Sequence, residues 1–220
     1  INILIQLTKK PHENLVKLYA CLSKTDKIFL VMEYCNGGDL SDYLAAVGVL
    51  CENTIRLFVK QIVQALDVIF KLNIIHRDLK PENILLSYDT TRGKNYPCAS
   101  KITLKIADFG LSKVVERSQI ANTFCGTKSH MAPEIGISKG YDSKVDLWSL
   151  GIIIHQCLTG KIPFNQPNPQ IDLSRVIPVD TSSNLKKLIK GLLQYYAKDR
   201  MSFEELIKHP FLLNQQHNQL

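Results

Sequence analysis

Two short strings hold the side chains best suited to chemistry. His76-Arg77-Asp78-Leu79-Lys80-Pro81-Glu82-Asn83 places a carboxylate (Asp78), an ammonium (Lys80) and a carboxamide (Asn83) within six residues. Asp108-Phe109-Gly110 supplies a second carboxylate, followed by an aromatic and a glycine that lets the chain beyond it swing. These types suit the transfer of a phosphoryl group, which needs alignment and charge compensation more than covalent help. A carboxylate at Asp78 can orient a hydroxyl and accept its proton. Lys80 can meet a phosphate as a point charge. Asn83 and Asp108 offer hard oxygen ligands, which suit Mg²⁺ better than a softer metal. Taken singly the residues say little: a lone Asp78 reads as a surface carboxylate and a lone His76 as a satisfied core histidine.

The bulk properties are those of an ordinary globule. The 220 residues suit one domain with a sizeable core, 21% charged and 45% hydrophobic. No stretch is apolar for the roughly 18 residues of a membrane span. The most apolar run, Leu147 to Leu158, is broken by Ser149, Gly151, His155 and Gln156 and reads as a core helix. The six cysteines, at 21, 35, 51, 98, 125 and 157, form no CxxC pair, so reduced thiols in a cytoplasmic protein are expected. The net charge of +7 comes without a basic stripe interleaved with aromatics, so nucleic acid is not an expected partner. No signal peptide is visible, and a first residue of Ile1 rather than Met marks the chain as an expected fragment.

The elements that must position these residues follow from periodicity. Residues 1–8 read as the end of an amphipathic helix stopped by Pro11. Leu15–Cys21 and Lys27–Met32 read as strands joined by a polar turn over residues 23–26. A non-helical connector, Glu33 to Gly38, leads to Asp39, which can cap a short helix. Glu52 to Leu72 carries the clearest helical signal, with Ile55, Phe58, Val59, Ile62, Leu66, Ile69 and Phe70 at three- and four-residue steps. Ile84–Leu86 and Thr103–Ile106 read as short strands around an exposed, turn-rich insertion, Ser87–Lys101. Val145–Leu158, Asn184–Tyr195 and Phe203–Lys208 read as helices, and residues 214–220 as a frayed tail. The class is α+β, with strands early and helices dominating the rest, and there is neither an internal repeat nor a second domain.

In order, the two strings and Ala132-Pro133-Glu134 spell HRDLKPEN…DFG…APE, which resembles the catalytic half of a eukaryotic protein kinase. The resemblance implies a partial kinase domain: an N-lobe remnant (1–33), a hinge (34–36), a mainly helical C-lobe (37–213) and a tail (214–220). It implies ATP and Mg²⁺, with Asp78 as catalytic base, Lys80 on the γ-phosphate, and Asn83 and Asp108 on the metal. Thr127 would hydrogen-bond Asp78 and Lys80. Arg77 and Lys113 would receive a phosphate on Thr123 and so order the activation segment. Glu134 would pair with Arg200, and Asp146 would accept hydrogen bonds from the catalytic-loop backbone. Leu4, Leu18, His76 and Phe109 resemble the apolar stack that links the lobes of active kinases. Met32 would guard the back of the adenine pocket. Backbone groups of Glu33 and Cys35 would meet the adenine edge, Asp39 the ribose, and Leu85 the lower face of the ring.

Val31-Met32-Glu33-Tyr34-Cys35-Asn36-Gly37-Gly38-Asp39-Leu40, followed by Asp42-Tyr43-Leu44, is similar to the ULK family of autophagy-initiating Ser/Thr kinases. Thr54-Ile55-Arg56-Leu57-Phe58 and Gln156-Cys157-Leu158-Thr159-Gly160-Lys161 fit the same family, and Leu79-Lys80-Pro81-Glu82-Asn83 is the Ser/Thr form of the catalytic loop. Leu111, just after the DFG string, leans toward serine as acceptor. A protein substrate is implied, with autophagy regulatory proteins binding outside this span. The sequence departs from the pattern in three places. The glycine-rich phosphate loop and the Lys-bearing strand do not occur in it. Gly126-Thr127-Lys128-Ser129-His130 replaces the usual Gly-Thr-Pro-x-Tyr. Asn165 to Asp180 is short for a substrate-docking region. A catalytically impaired, kinase-like binding module is therefore the competing expectation.

Overall fold

The computed structural model describes residues 1–25, 27–89, 96–114, 129–135, 140–164 and 172–213. Helix α1 (Asn2–Thr8) buries Leu4 and Leu7 and ends before Pro11, whose missing N–H cannot extend it. An antiparallel ribbon follows, β1 (Leu18–Lys24) and β2 (Lys27–Met32), with Leu18 opposite Met32 and Lys24 opposite Lys27.

The first strand is thus displaced from the expected Leu15–Cys21, and the expected turn at 23–26 tightens to a reversal after Lys24, with Thr25 at φ 53°. The cause is a competing partner. Leu15 bridges Ile106 in parallel, the Val16 N–H donates to the Ile106 carbonyl (3.0 Å), and the Ile106 N–H donates to the Asn14 carbonyl (2.9 Å). An apolar alternation shows that a segment is extended without showing which neighbour it pairs with.

Helix α2 (Leu40–Val47) starts at a capping box: the Asp42 N–H donates to Asp39 Oδ1 (2.9 Å) and the Asp39 N–H donates to Asp42 Oδ2 (3.4 Å). Helix α3 (Glu52–Lys71) buries Ile55, Phe58, Val59, Ile62, Leu66 and Ile69 of the predicted stripe and leaves Phe70, at its end, partly buried. Next come β3 (Ile74–Ile75), a 3₁₀ turn at Pro81–Asn83, and β4 (Ile84–Ser87), which pairs antiparallel with β5 (Thr103–Ile106) so that Leu85 faces Lys105. Strand β6 (Lys113–Val114) pairs with β3. These two-residue strands are too short to leave a period in the sequence.

Helix α4 (Lys144–Thr159) is buried on nearly every side, as apolar residues on most of its faces predict, and stops at Gly160, whose φ of 72° suits a residue without Cβ. Helix α5 (Ser183–Leu192) ends three residues before the expected Tyr195, because the Gln194 and Tyr195 carbonyls accept from the Arg200 guanidinium instead of continuing the helix. Helix α6 (Phe203–Ile207) and a short α7 (Pro210–Leu213), the latter not foreseen, complete the chain. One core cluster runs from Leu4 to Leu212, with α3 packed against β5, α4 and α7. The architecture is α+β, with three two-stranded sheets among the described residues. The insertion expected at 87–101 falls partly outside the described residues; its end, Ala99–Lys101, is a 3₁₀ turn.

Candidate active site

The segment between β3 and β4 is held from below by one carboxylate. Asp146, wholly buried in the first turn of α4, accepts the His76 N–H on Oδ2 (2.8 Å) and the Arg77 N–H on Oδ1 (2.9 Å). Burial pushes its carboxyl above the ordinary carboxylate value, while His76 and these two donors pull it back. The grip has a local purpose. Arg77 has φ 70°, a left-handed conformation that costs a residue with a Cβ on the order of 1–3 kcal/mol. The two charge-assisted hydrogen bonds, from its own N–H and from that of His76 before it, hold it there.

Within the loop, Asn83 Nδ2 donates to the Asp78 carbonyl (2.7 Å) and to Asp78 Oδ2 (3.1 Å), and Lys80 Nζ stands 3.2 Å from the same Oδ2. Asp78, Lys80 and Asn83 therefore form one cluster. Committing the Asn83 nitrogen to Asp78 leaves its carboxamide oxygen as the atom to offer a cation.

Ala107 ties this cluster to Asp108. Its N–H donates to the Asn83 carbonyl (2.9 Å) and its carbonyl lies 2.9 Å from His76 Nε2. The Asp78 N–H donates to His76 Nδ1 (3.3 Å), so that nitrogen is the acceptor and Nε2 carries the proton toward Ala107. One imidazole thus fixes both loops, and its ring stands edge-on to Phe109 at 5.0 Å. Leu4, Leu18 and Phe109 are buried in the common core. Asp108 itself has φ 55°, and its Oδ1 accepts the Gly110 N–H (3.1 Å).

Above Asp108 lies a cleft of about 530 Å³ lined by Leu4, Val16, Met32, Glu33, Leu85 and Asp108 among others. Neither Cys35 nor Asp39 lines it. Asp39 instead spends Oδ1 on the cap of α2, and burial together with the Glu33 carboxylate pushes the Cys35 thiol up, with Lys105 pulling it back. The Glu33 N–H donates to the Lys17 carbonyl (2.8 Å), but the Lys17 N–H donates to Glu33 Oε2 (3.2 Å) and not to its carbonyl. That carbonyl stays out of the ladder. Glu33 Oε1 meets Lys105 Nζ at 3.0 Å. Lys105 was not foreseen: between Leu104 and Ile106, strand alternation makes a lysine look solvent-facing, yet α3 and the Glu13–Val16 loop cover this strand.

The Arg77 side chain donates from Nε to the Leu111 carbonyl and from Nη1 to Tyr141 Oη (3.3 Å), while Lys113 faces Ile75 in the β3–β6 ladder. Both flank residues 115–128, so Thr123 and Thr127 lie outside the described residues. Glu134 and Arg200 form a bidentate pair at 2.7 and 2.9 Å. Arg200 also donates to the Lys144 carbonyl (2.8 Å) and lies over the Trp148 ring at 5.0 Å. Among the described residues no group of three or more His, Cys, Asp or Glu could hold a metal, and no helix is long and apolar enough to cross a membrane. Asn83 and Asp108 suit a Mg²⁺ that takes one or two protein oxygens and the rest from phosphates and water.

The loop slung from a buried helix is thus joined to an aspartate that faces the cleft, and residues 1–212 match the protein kinase domain family, to which the chain belongs. It is 47% identical over 215 residues to serine/threonine-protein kinase ULK1 of Homo sapiens, covering 94% of this chain and 20% of that protein. It is 48% identical over 221 residues to serine/threonine-protein kinase unc-51 of Caenorhabditis elegans (96% and 26%) and 40% identical over 224 residues to serine/threonine-protein kinase ATG1b of Arabidopsis thaliana (97% and 30%). The chain therefore spans between a fifth and a third of the length of these relatives.

Proposed function

We propose that this domain transfers the γ-phosphoryl group of ATP to serine or threonine hydroxyls of protein substrates, in the autophagy-initiating signalling that the likeness to ULK and ATG1 kinases implies. The observation that carries this reading is the interlock of Asp78, Lys80 and Asn83 with the Asp108 strand through Ala107. The adenine would occupy the cleft between Met32 and Leu85, with its edge on the Glu33 carbonyl and the Cys35 N–H. Asn83 and Asp108 would hold Mg²⁺, which supplies charge neutralisation at the phosphates. Asp78 orients the acceptor hydroxyl and takes its proton as the new O–P bond forms and the bond from the γ-phosphorus to the bridging oxygen breaks, with ADP leaving. Lys80, beside Asp78, compensates charge on the transferred group. Thr127 would support Asp78 and Lys80, and Thr123 would be the phosphorylated switch read by Arg77 and Lys113. A cytoplasmic location belongs to this reading.

The test is Asp78→Asn in the full-length protein, assayed with Mg-ATP and a basic protein acceptor. Phosphate incorporation falls by at least about a thousandfold if Asp78 is the base, within the range a positioned acid–base group and its geometry supply. A wild type as inert as the variant overturns the transferase reading and favours the binding module.

A further inference from the structure

We propose that Lys105 is a positioning residue for nucleotide binding: its buried ammonium clamps Glu33 so that the Glu33 carbonyl is held toward the cleft. The inference rests on the nucleotide reading above and deepens it. Lys105 sits opposite Leu85 in the β4–β5 ladder, and directly opposed residues project from the same face of a sheet. Leu85 lines the cleft, so the lysine stem leaves from the cleft side and runs toward the end of β2. Its side chain is only 7% exposed, and its Nζ makes two contacts, 3.0 Å to Glu33 Oε1 and 2.6 Å to the Glu13 carbonyl.

The consequence for Glu33 is full commitment on one side. Its N–H is taken by the Lys17 carbonyl, Oε2 by the Lys17 N–H and Oε1 by Lys105. What is left is the backbone carbonyl, the group an adenine amine would meet. Lys105 also stands three residues before Asp108, on a strand locked to the Asn14–Val16 loop by the Ile106 bonds. A single ammonium thus fixes the distance between the adenine edge and the strand that delivers the metal-facing carboxylate. A buried charge is costly unless it is paired and hydrogen-bonded, and this one has both kinds of partner, arranged about the cleft and not about the packing core.

Lys105→Met in the full-length protein tests this. The KM for Mg-ATP rises about tenfold, the loss of roughly one charge-assisted hydrogen bond at the hinge, while kcat stays within about twofold and the KM for the protein acceptor is unchanged. The double variant K105M/E33Q, which no longer strands a carboxylate, recovers the melting temperature of the wild type and keeps the raised KM. A purely structural role would instead lower kcat and stability together, and a wild-type KM in the double variant would overturn the proposal. Amide exchange supplies a readout without turnover: exchange at Glu33 and Cys35 quickens in K105M while α3 is unaffected. Unchanged exchange at Glu33 refutes the clamp. An inert wild type refutes the transferase reading, and the exchange result still decides the clamp.

Discussion

Replacing Arg200 with methionine should be among the most damaging single changes in the molecule. The guanidinium has no exposed surface, and the Glu134 side chain is 13% exposed. Arg200 satisfies both Glu134 oxygens, the Lys144 carbonyl at 2.8 Å and the Gln194 carbonyl at 3.1–3.2 Å. Methionine fills much of the volume and keeps contact with Trp148, so the cost is mainly a carboxylate deprived of its bidentate cation and carbonyls deprived of their donor. Removing one partner of a buried pair costs about 3–5 kcal/mol. The residual exposure of Glu134 lets water soften the penalty and argues against a larger figure. At about 2–4 °C per kcal/mol for a chain of this size, the melting temperature should fall by roughly 6–20 °C. Urea unfolding followed by tryptophan fluorescence suits the assay, since Trp148 lies against the site. A loss below about 1 kcal/mol would refute the reasoning, because it would place the pair in the range of solvent-screened surface bridges. The double variant E134M/R200M should recover part of the loss; if it is no more stable than R200M, the uncompensated Glu134 charge is not the cause.

Gly151→Ala should destabilise by about 1–3 kcal/mol, because its Cβ would meet Leu193 Cδ2 at 2.7 Å inside the α4–α5 contact; an unchanged urea midpoint would show that Leu193 can yield. Thiol alkylation at mildly alkaline pH should label Cys51 and Cys98 before Cys157: the Thr54 hydroxyl lowers the first, the Ser100 hydroxyl lowers the second, and burial pushes Cys157 up to about 12, so its labelling should wait for unfolding and peptide mass analysis reads the order. Burial pulls the His130 and His209 imidazoles below the ordinary 6.5, the Lys187 charge adding to the effect at His209. Their folded values lie below the unfolded one, so the unfolded chain binds more protons in that window. The stability they contribute is full above 6.5 and is lost as pH falls from there toward the depressed values. A His130→Asn variant should show a shallower decline between pH 7 and 5 in thermal melts, and an identical profile would count against a neutral buried imidazole.

Periodicity made α3 and α4 legible almost to the residue, because a long apolar stripe and a helix apolar on most sides each leave a pattern over several turns. Polar spacing likewise brought Asp78, Lys80 and Asn83 into view as a group, since they lie on one loop. Partner choice was not legible. The shift of β1 away from Leu15 depends on Ile106, ninety-one positions away in the chain, and the early end of α5 depends on a guanidinium beyond it. Lys105 was hidden for the same reason: its burial is decided by α3 and the Glu13 loop, not by its neighbours in sequence. Asp39 shows the reverse limit, where a residue fit for a sugar hydroxyl is also fit for a helix cap, and here the cap takes its Oδ1.

The β1–β2 ribbon has a consequence for how the cleft would respond to its surroundings. Ile28, Phe29, Leu30 and Val31 are all exposed, so the ladder meets water on both faces and relies on its own rungs. Its last residue, Met32, opens directly onto the cleft wall. Because Leu30 and Met32 also line the cleft, anything packed across the ribbon would stiffen that wall from outside.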